Sequence, residues 1–122
     1  MARILIVEDD SILRELFALQ LGAVGHVVHQ VEDGAAARSF ALRDRPDLIV
    51  SNVDMPRADG FELMAALRED TSSSAIPIIL VSANLDHRRK ARELGAAAFL
   101  GKPVSADRLR TAVAESLRGV TG

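Results

Sequence analysis

The sequence predicts an α/β domain built around a parallel sheet. Five short apolar, β-branched runs alternate with five segments of helical periodicity along the chain. The runs are continuous rather than alternating apolar and polar, as expected of strands covered on both faces. Strands separated by helices are joined by right-handed crossovers and lie parallel. With 122 residues, 48% of them hydrophobic, the chain fits one compact domain spanning 1–122 with a real core.

The first strand is Ile4-Leu5-Ile6-Val7. Asp10 or Ser11 can cap the helix that follows, which carries Ile12, Leu13, Leu16, Phe17 and Leu21 and ends between Gly22 and Gly25. His26 to Val31 reads as the second strand. Asp33 can cap a helix through about Arg43 with Ala36, Phe40 and Ala41 inward, and Pro46 breaks it. Leu48-Ile49-Val50 is the third strand, ending at Ser51-Asn52. A loop with Pro56 leads to a helix from about Phe61 to Glu69, then a polar loop from Thr71 to Ala75. Ile78 to Val81 is the fourth strand, ending at Ser82. A fourth helix, around Asp86 to Leu94, stops at Gly95. Ala98-Phe99-Leu100 is a short fifth strand ending at Lys102-Pro103. Ser105 caps a last helix whose Leu109, Ala112, Val113, Ser116, Leu117 and Val120 form one stripe at i, i+3, i+4 and i+7 spacing.

Bulk composition excludes several classes. A net charge of −2 points to neither nucleic acid nor an anionic membrane as partner. There is no cysteine, which excludes disulfides and thiolate-bound metals and agrees with a reducing cytoplasm. No run reaches the roughly 18 apolar residues of a membrane helix, and Met1-Ala2-Arg3 leads straight into the first strand without a signal-peptide layout.

In an open α/β sheet, ligands bind beyond the carboxyl ends of the strands. Those ends carry Glu8-Asp9-Asp10, Asn52 with Asp54 just beyond, Ser82-Ala83, and Lys102-Pro103. Taken singly, each has an ordinary reading: a solvated strand end with a helix cap, a turn hydroxyl, a surface lysine. Together they gather acid, amide, hydroxyl and ammonium at one rim. Adjacent carboxylates about 4 Å apart repel by about 4 kcal/mol at an effective dielectric near 20, and a hard divalent cation such as Mg²⁺ relieves this. Ser82 and Lys102 can then hold two oxygens of a phosphoryl group. His26, His29 and His87 show no ligand spacing and read as structural or solvated, and His87-Arg88-Arg89-Lys90 reads as the wet face of the fourth helix.

These segments resemble the receiver domain of two-component response regulators over essentially the whole chain. The resemblance rests on Ile4-Leu5-Ile6-Val7-Glu8-Asp9-Asp10, Pro46-Asp47-Leu48-Ile49-Val50, Met55-Pro56 with Asp59-Gly60, Val81-Ser82-Ala83, Gly95-Ala96 and Lys102-Pro103, in that order. It implies a flavodoxin-like (βα)5 three-layer sandwich with strand order 2-1-3-4-5. It further implies that a histidine kinase donates a phosphoryl group to an aspartate ending the third strand. Glu8, Asp9 and the main-chain carbonyl of Asp54 would hold Mg²⁺. Ser82 would be the hydroxyl that contacts the phosphoryl group and shifts, Lys102 the paired ammonium, and Phe99 the aromatic that rotates with Ser82. The Lys102-Pro103 bond would be cis.

Asn52 departs from the pattern. The family's acceptor is a carboxylate that attacks phosphorus, and a neutral amide is a very poor nucleophile. The expected consequences are no phosphorylation at residue 52, weaker Mg²⁺ binding, less repulsion in the metal-free site, and an unchanged fold, because the exchange is nearly isosteric. Asn52 is read as an engineered replacement for aspartate that traps the unphosphorylated form, which the otherwise intact site favours. The alternative is a natural pseudo-receiver acting as a phosphorylation-independent interaction module. Asp54 as a substitute acceptor is a third reading, with its carboxylate expected to point away. The expected partners are a histidine kinase or phosphotransfer protein near the first helix, and a downstream protein, or a second copy, on the fourth-helix, fifth-strand, fifth-helix face. Arg88, Arg89 and Arg92 can add charge there. The chain is not expected to be an enzyme. A nucleotide- or flavin-binding enzyme on this fold needs a glycine-rich phosphate loop after a strand, and none is present.

Overall fold

A computed structural model describes residues 1–119. The elements, in order, are β1 (Arg3–Val7), α1 (Ser11–Gly22), β2 (Val27–Val31), α2 (Gly34–Asp44), β3 (Leu48–Asn52), α3 (Gly60–Glu69), β4 (Ile78–Ser82), α4 (His87–Glu93), β5 (Ala98–Gly101) and α5 (Ala106–Leu117). The five strands form one sheet in the order β2-β1-β3-β4-β5, with every pairing parallel. Fold class and strand order agree with expectation.

Side-chain alternation along each strand sorts the core into two layers. Ile4, Ile6, Leu48, Val50, Ile79, Val81 and Leu100 pack under Phe17 and Leu21 of α1 and Leu109 and Val113 of α5. Leu5, Val7, Ile49, Ile78 and Leu80 pack under Ala37 and Ala41 of α2, the apolar face of α3, and Ala91 of α4. The helix starts are capped as the sequence suggests at Asp10, Asp33 and Ser105, and at α3, where no cap was expected, Asp59 with Glu62 makes a reciprocal capping box. Asp86, ahead of α4, makes no such side-chain bond.

Three expectations change. On α1, Phe17 and Leu21 face the core, while Ile12 and Leu16 are exposed at 80% and 44%. On α2, Ala37 rather than Ala36 shares the inner face with Ala41. β2 begins at Val27, leaving His26 outside the strand. Val120 of the α5 stripe lies outside the described residues. Among the described residues, no helix is long and apolar enough to cross a membrane.

His26 has a defined role at the opposite rim from the strand carboxyl ends. Its Nδ1 accepts a hydrogen bond from the Ala2 N–H at 3.2 Å, which requires an unprotonated ring nitrogen. Burial, assisted by the N-terminal ammonium, holds its pKa below the ordinary histidine value. The neutral form is thus favoured by folding. The stability it contributes is complete above the ordinary histidine pKa and is lost as pH falls through the lowered value. An NMR titration of the imidazole is expected to give a midpoint below that of free histidine; a midpoint at or above it would count against this account.

Candidate functional site

β1 and β3 are central neighbours whose crossovers leave in opposite directions, to β2 and to β4, which opens a crevice beyond their carboxyl ends. Register decides what meets there. Val7 pairs with Ser51, so the next residues, Glu8 and Asn52, stand side by side. Asn52 pairs with Val81, and Ser82 with Gly101, one residue before Lys102. The structure therefore brings Glu8, Asp9, Asn52, Asp54, Ser82 and Lys102 to one rim.

Asn52, 5% exposed, is its centre. Its Nδ2 donates toward Asp54 O at 2.8 Å, Glu8 Oε2 at 3.1 Å and Asp9 Oδ1 at 3.2 Å. The amide orientation follows from these partners, because the opposite rotamer would set an oxygen against three acceptors. Two amide protons serve three acceptors, so at least one bond is shared. Asn52 Oδ1 is buried and meets no donor among the described residues.

Glu8 is almost fully buried and both its oxygens are used. Oε1 pairs with Lys102 Nζ at 3.0 Å, and Oε2 accepts from Asn52 and from the Asp10 N–H. Burial pushes its pKa up, with the adjacent Asp9 adding to the rise and Lys102 and the Asp10 amide opposing it. Burial pushes Asp9 the same way, but bonding with Glu8 and the Asn52 amide outweighs it and the Asp9 pKa ends lowered. On acidification Glu8 takes the first proton of the pair.

Ser82 and Asp54 form the second half of the site. The Ser82 hydroxyl donates to Asp54 Oδ2 at 3.0 Å and accepts the Asn84 N–H at 3.0 Å. The Asp54 carboxylate thus turns into the site, not away from it as expected. The loop that carries it includes Arg57 at φ 73, a left-handed conformation no sequence pattern foretold for a residue other than glycine.

His87 was missed. Its Nδ1 lies 2.9 Å from Ser82 Oγ and 4.0 Å from Asp54 Oδ1, so of the two expected readings it is structural rather than solvated, and its place beside the site is what the sequence did not give. A histidine in the first turn after a strand ending in serine is the only hint the sequence contains. The basic run also differs from a plain wet face: Arg88 lies over the Phe99 ring at 5.3 Å and Lys90 over Phe61 at 4.6 Å. Phe99 stands apart from the acidic cluster, half-buried on β5 and paired in register with Leu80. The Lys102-Pro103 bond is cis.

The response regulator receiver domain model matches residues 4–114, and the chain belongs to that family. Receiver domains are signalling modules of two-component systems, generally non-enzymatic, that bind Mg²⁺ at the phosphorylation site and interact with histidine kinases and effectors. Protein PilH of Pseudomonas aeruginosa is 32% identical over 121 residues, covering 98% of this chain and 100% of PilH. The DNA-binding dual master transcriptional regulator RpaA of Synechocystis is 31% identical over 120 residues, 97% of this chain and 50% of RpaA. This chain spans about half or less of several such relatives. Among solved structures, the chemotaxis response regulator CheY4 of Vibrio cholerae superposes with a TM-score of 0.88 at 28% identity, covering 94% of this chain and 98% of CheY4.

Proposed function

We propose that residues 1–122 form one receiver domain whose phosphoryl-accepting step is blocked at Asn52 and which acts through protein contacts in its phosphate-free form. The supporting observation is the Asn52 amide, whose nitrogen lies within 3.2 Å of Glu8, Asp9 and the Asp54 carbonyl. A carboxylate at position 52 would attack phosphorus; the amide nitrogen has its lone pair delocalised and its protons engaged.

The same three oxygens are the residues that would hold Mg²⁺. They already face one point, and the buried, unpartnered Asn52 Oδ1 can join them if the amide turns over. Mg²⁺ would need them to close to about 2.0–2.1 Å and would find one carboxylate fewer than an acceptor aspartate supplies. Bound there, the ion neutralises charge on a phosphoryl group. Ser82 and Lys102, at the ends of the neighbouring strands, would contact phosphoryl oxygens, and Ser82 with Phe99 is the pair that would relay the change.

Partners fit two surfaces. A histidine kinase or phosphotransfer protein docks beside α1, close to residue 52. A downstream protein, or a second copy, uses the α4–β5–α5 face, where a groove of about 420 Å³ is lined by Arg88, Arg92, Phe99, Leu100, Arg108 and Ala112.

The test is intact mass after incubation with Mg²⁺ and acetyl phosphate. The chain is expected to gain no phosphoryl group and its Asn52→Asp variant to gain one. Adducts on neither would replace this reading with a phosphate-independent interaction module. Adducts on both would overturn the block and point to Asp54.

A further inference from the structure

After β4 ends at Ser82, a short tight loop brings the chain back on itself. The Asn84 N–H bonds Ser82 Oγ, the Asp86 N–H bonds Asn84 Oδ1 at 3.0 Å, and the His87 N–H bonds Asn84 O at 3.1 Å. Leu85 lies on Gly101, where a Cβ would have no room. This loop delivers the first residue of α4 to the end of the strand it has just left.

There the proton count becomes decisive. A hydroxyl has one proton to give and two lone pairs. The Ser82 proton goes to Asp54 Oδ2, since an ionised carboxylate only accepts. The Asn84 N–H fills one lone pair. The 2.9 Å contact with His87 must then be a donation from His87 Nδ1–H to the remaining pair. Ser82 Oγ is saturated, with all three bonds holding it where it is.

The imidazole is itself held. It is half-buried, and it meets Phe61 edge to face with centroids 5.4 Å apart and planes at 87°. The next residue, Arg88, covers Phe99. Consecutive residues of α4 therefore grip both members of the Ser82–Phe99 pair. α4 has little else to seat it: no side-chain cap at Asp86 and Ala91 as its one buried residue.

We infer that His87 is a positioning residue that ties the switch hydroxyl of Ser82 to α4, so that a partner gripping α4 moves Ser82 with no phosphoryl group present. The inference rests on the reading of Ser82 and Phe99 as the switch pair. It gives a receiver blocked at Asn52 a route by which binding, rather than phosphate, sets that pair.

The test compares the full chain with His87→Leu, His87→Asn and His87→Gln by NMR, reading amide exchange at Asn84 and Arg88 together with the Phe99 ring resonances. Losing a hydrogen bond of ordinary strength is expected to speed exchange about five-fold and to shift Phe99 in His87→Leu. His87→Asn, whose side-chain N–H can stand near the place of Nδ1, is expected to restore both readouts. His87→Gln, whose donor sits farther out, is expected to behave as the leucine variant does and replaces it should that variant not fold. Unchanged exchange and ring shifts in the leucine and glutamine variants would overturn the inference, as would identical behaviour of all three. Phosphoryl transfer to Asn52→Asp is independent of these readouts: its failure with the exchange pattern intact would count against the receiver reading alone.

Discussion

Without metal, Asn52→Asp is expected to unfold about 2–4 kcal/mol more easily than the native chain, and saturating Mg²⁺ is expected to restore most of that loss. The variant loses the amide donations to Glu8, Asp9 and the Asp54 carbonyl. Hydrogen bonds to charged groups contribute about 1.5–3 kcal/mol each. It also sets a third carboxyl beside two others, at about 4 kcal/mol per pair for charges some 4 Å apart. Glu8, already shifted upward by burial, takes up a proton and relieves part of this, which keeps the net loss below the sum. The sign with pH follows: the deficit grows as pH rises and that proton leaves. Ligand at a hundredfold excess over Kd adds about 2.7 kcal/mol, enough to recover the variant. The Asn52 chain, which must give up the amide's bonds to Glu8, Asp9 and the Asp54 carbonyl before its Oδ1 can face the ion, is expected to gain under about 0.5 kcal/mol by the same linkage. Urea unfolding at acid and alkaline pH, with and without Mg²⁺, measures all four quantities. Equal Mg²⁺ gains in both proteins would show that turning the amide over costs the metal site nothing.

Gly60→Ala is expected to cost about 3 kcal/mol or more and to disturb the site from the outside. A Cβ at Gly60 would lie 2.6 Å from the Asn52 carbonyl oxygen and 3.0 Å from Val53 Cα. Both obstacles are backbone, so neither can swing away, and overpacking of this kind typically costs 1–3 kcal/mol, sometimes more. The Gly60 N–H also bonds Val53 O at 2.9 Å, pinning the start of α3 against the end of β3. Any relaxation must therefore move the peptide that carries the Asn52 side chain. Equilibrium unfolding gives the cost, and shifted Glu8 and Asp9 resonances report the displacement. A variant as stable as the native chain would mean that α3 can slide without penalty.

The sheet was legible because its strands are uninterrupted apolar runs such as Ile4–Val7 and Ile78–Val81, and each is followed by a polar break. That same periodicity placed Glu8, Asn52, Ser82 and Lys102 at strand ends, so their gathering at one rim needed only parallel topology. Other features depended on information that periodicity lacks. On α1 the stripe Ile12, Leu16, Leu19 is as apolar as Phe17 and Leu21, and nothing local says which faces inward. The direction of the Asp54 carboxylate depends on a loop with a left-handed Arg57. His87 reaches Ser82 because four loop residues fold back on themselves, a path set by Asn84 side-chain and backbone bonds rather than by hydrophobic pattern.

The ion pair of Glu8 with Lys102 closes a span of 94 positions. During synthesis, Glu8 and Asp9 emerge early, and their counter-charge follows only after that span of 94 positions has been made. A nascent chain can bury β1, β3 and β4 beforehand, but its acidic rim stays uncompensated until residue 102 is free. A chain cut short ahead of β5 would therefore hold a nearly complete sheet whose negative end has no ammonium to answer it.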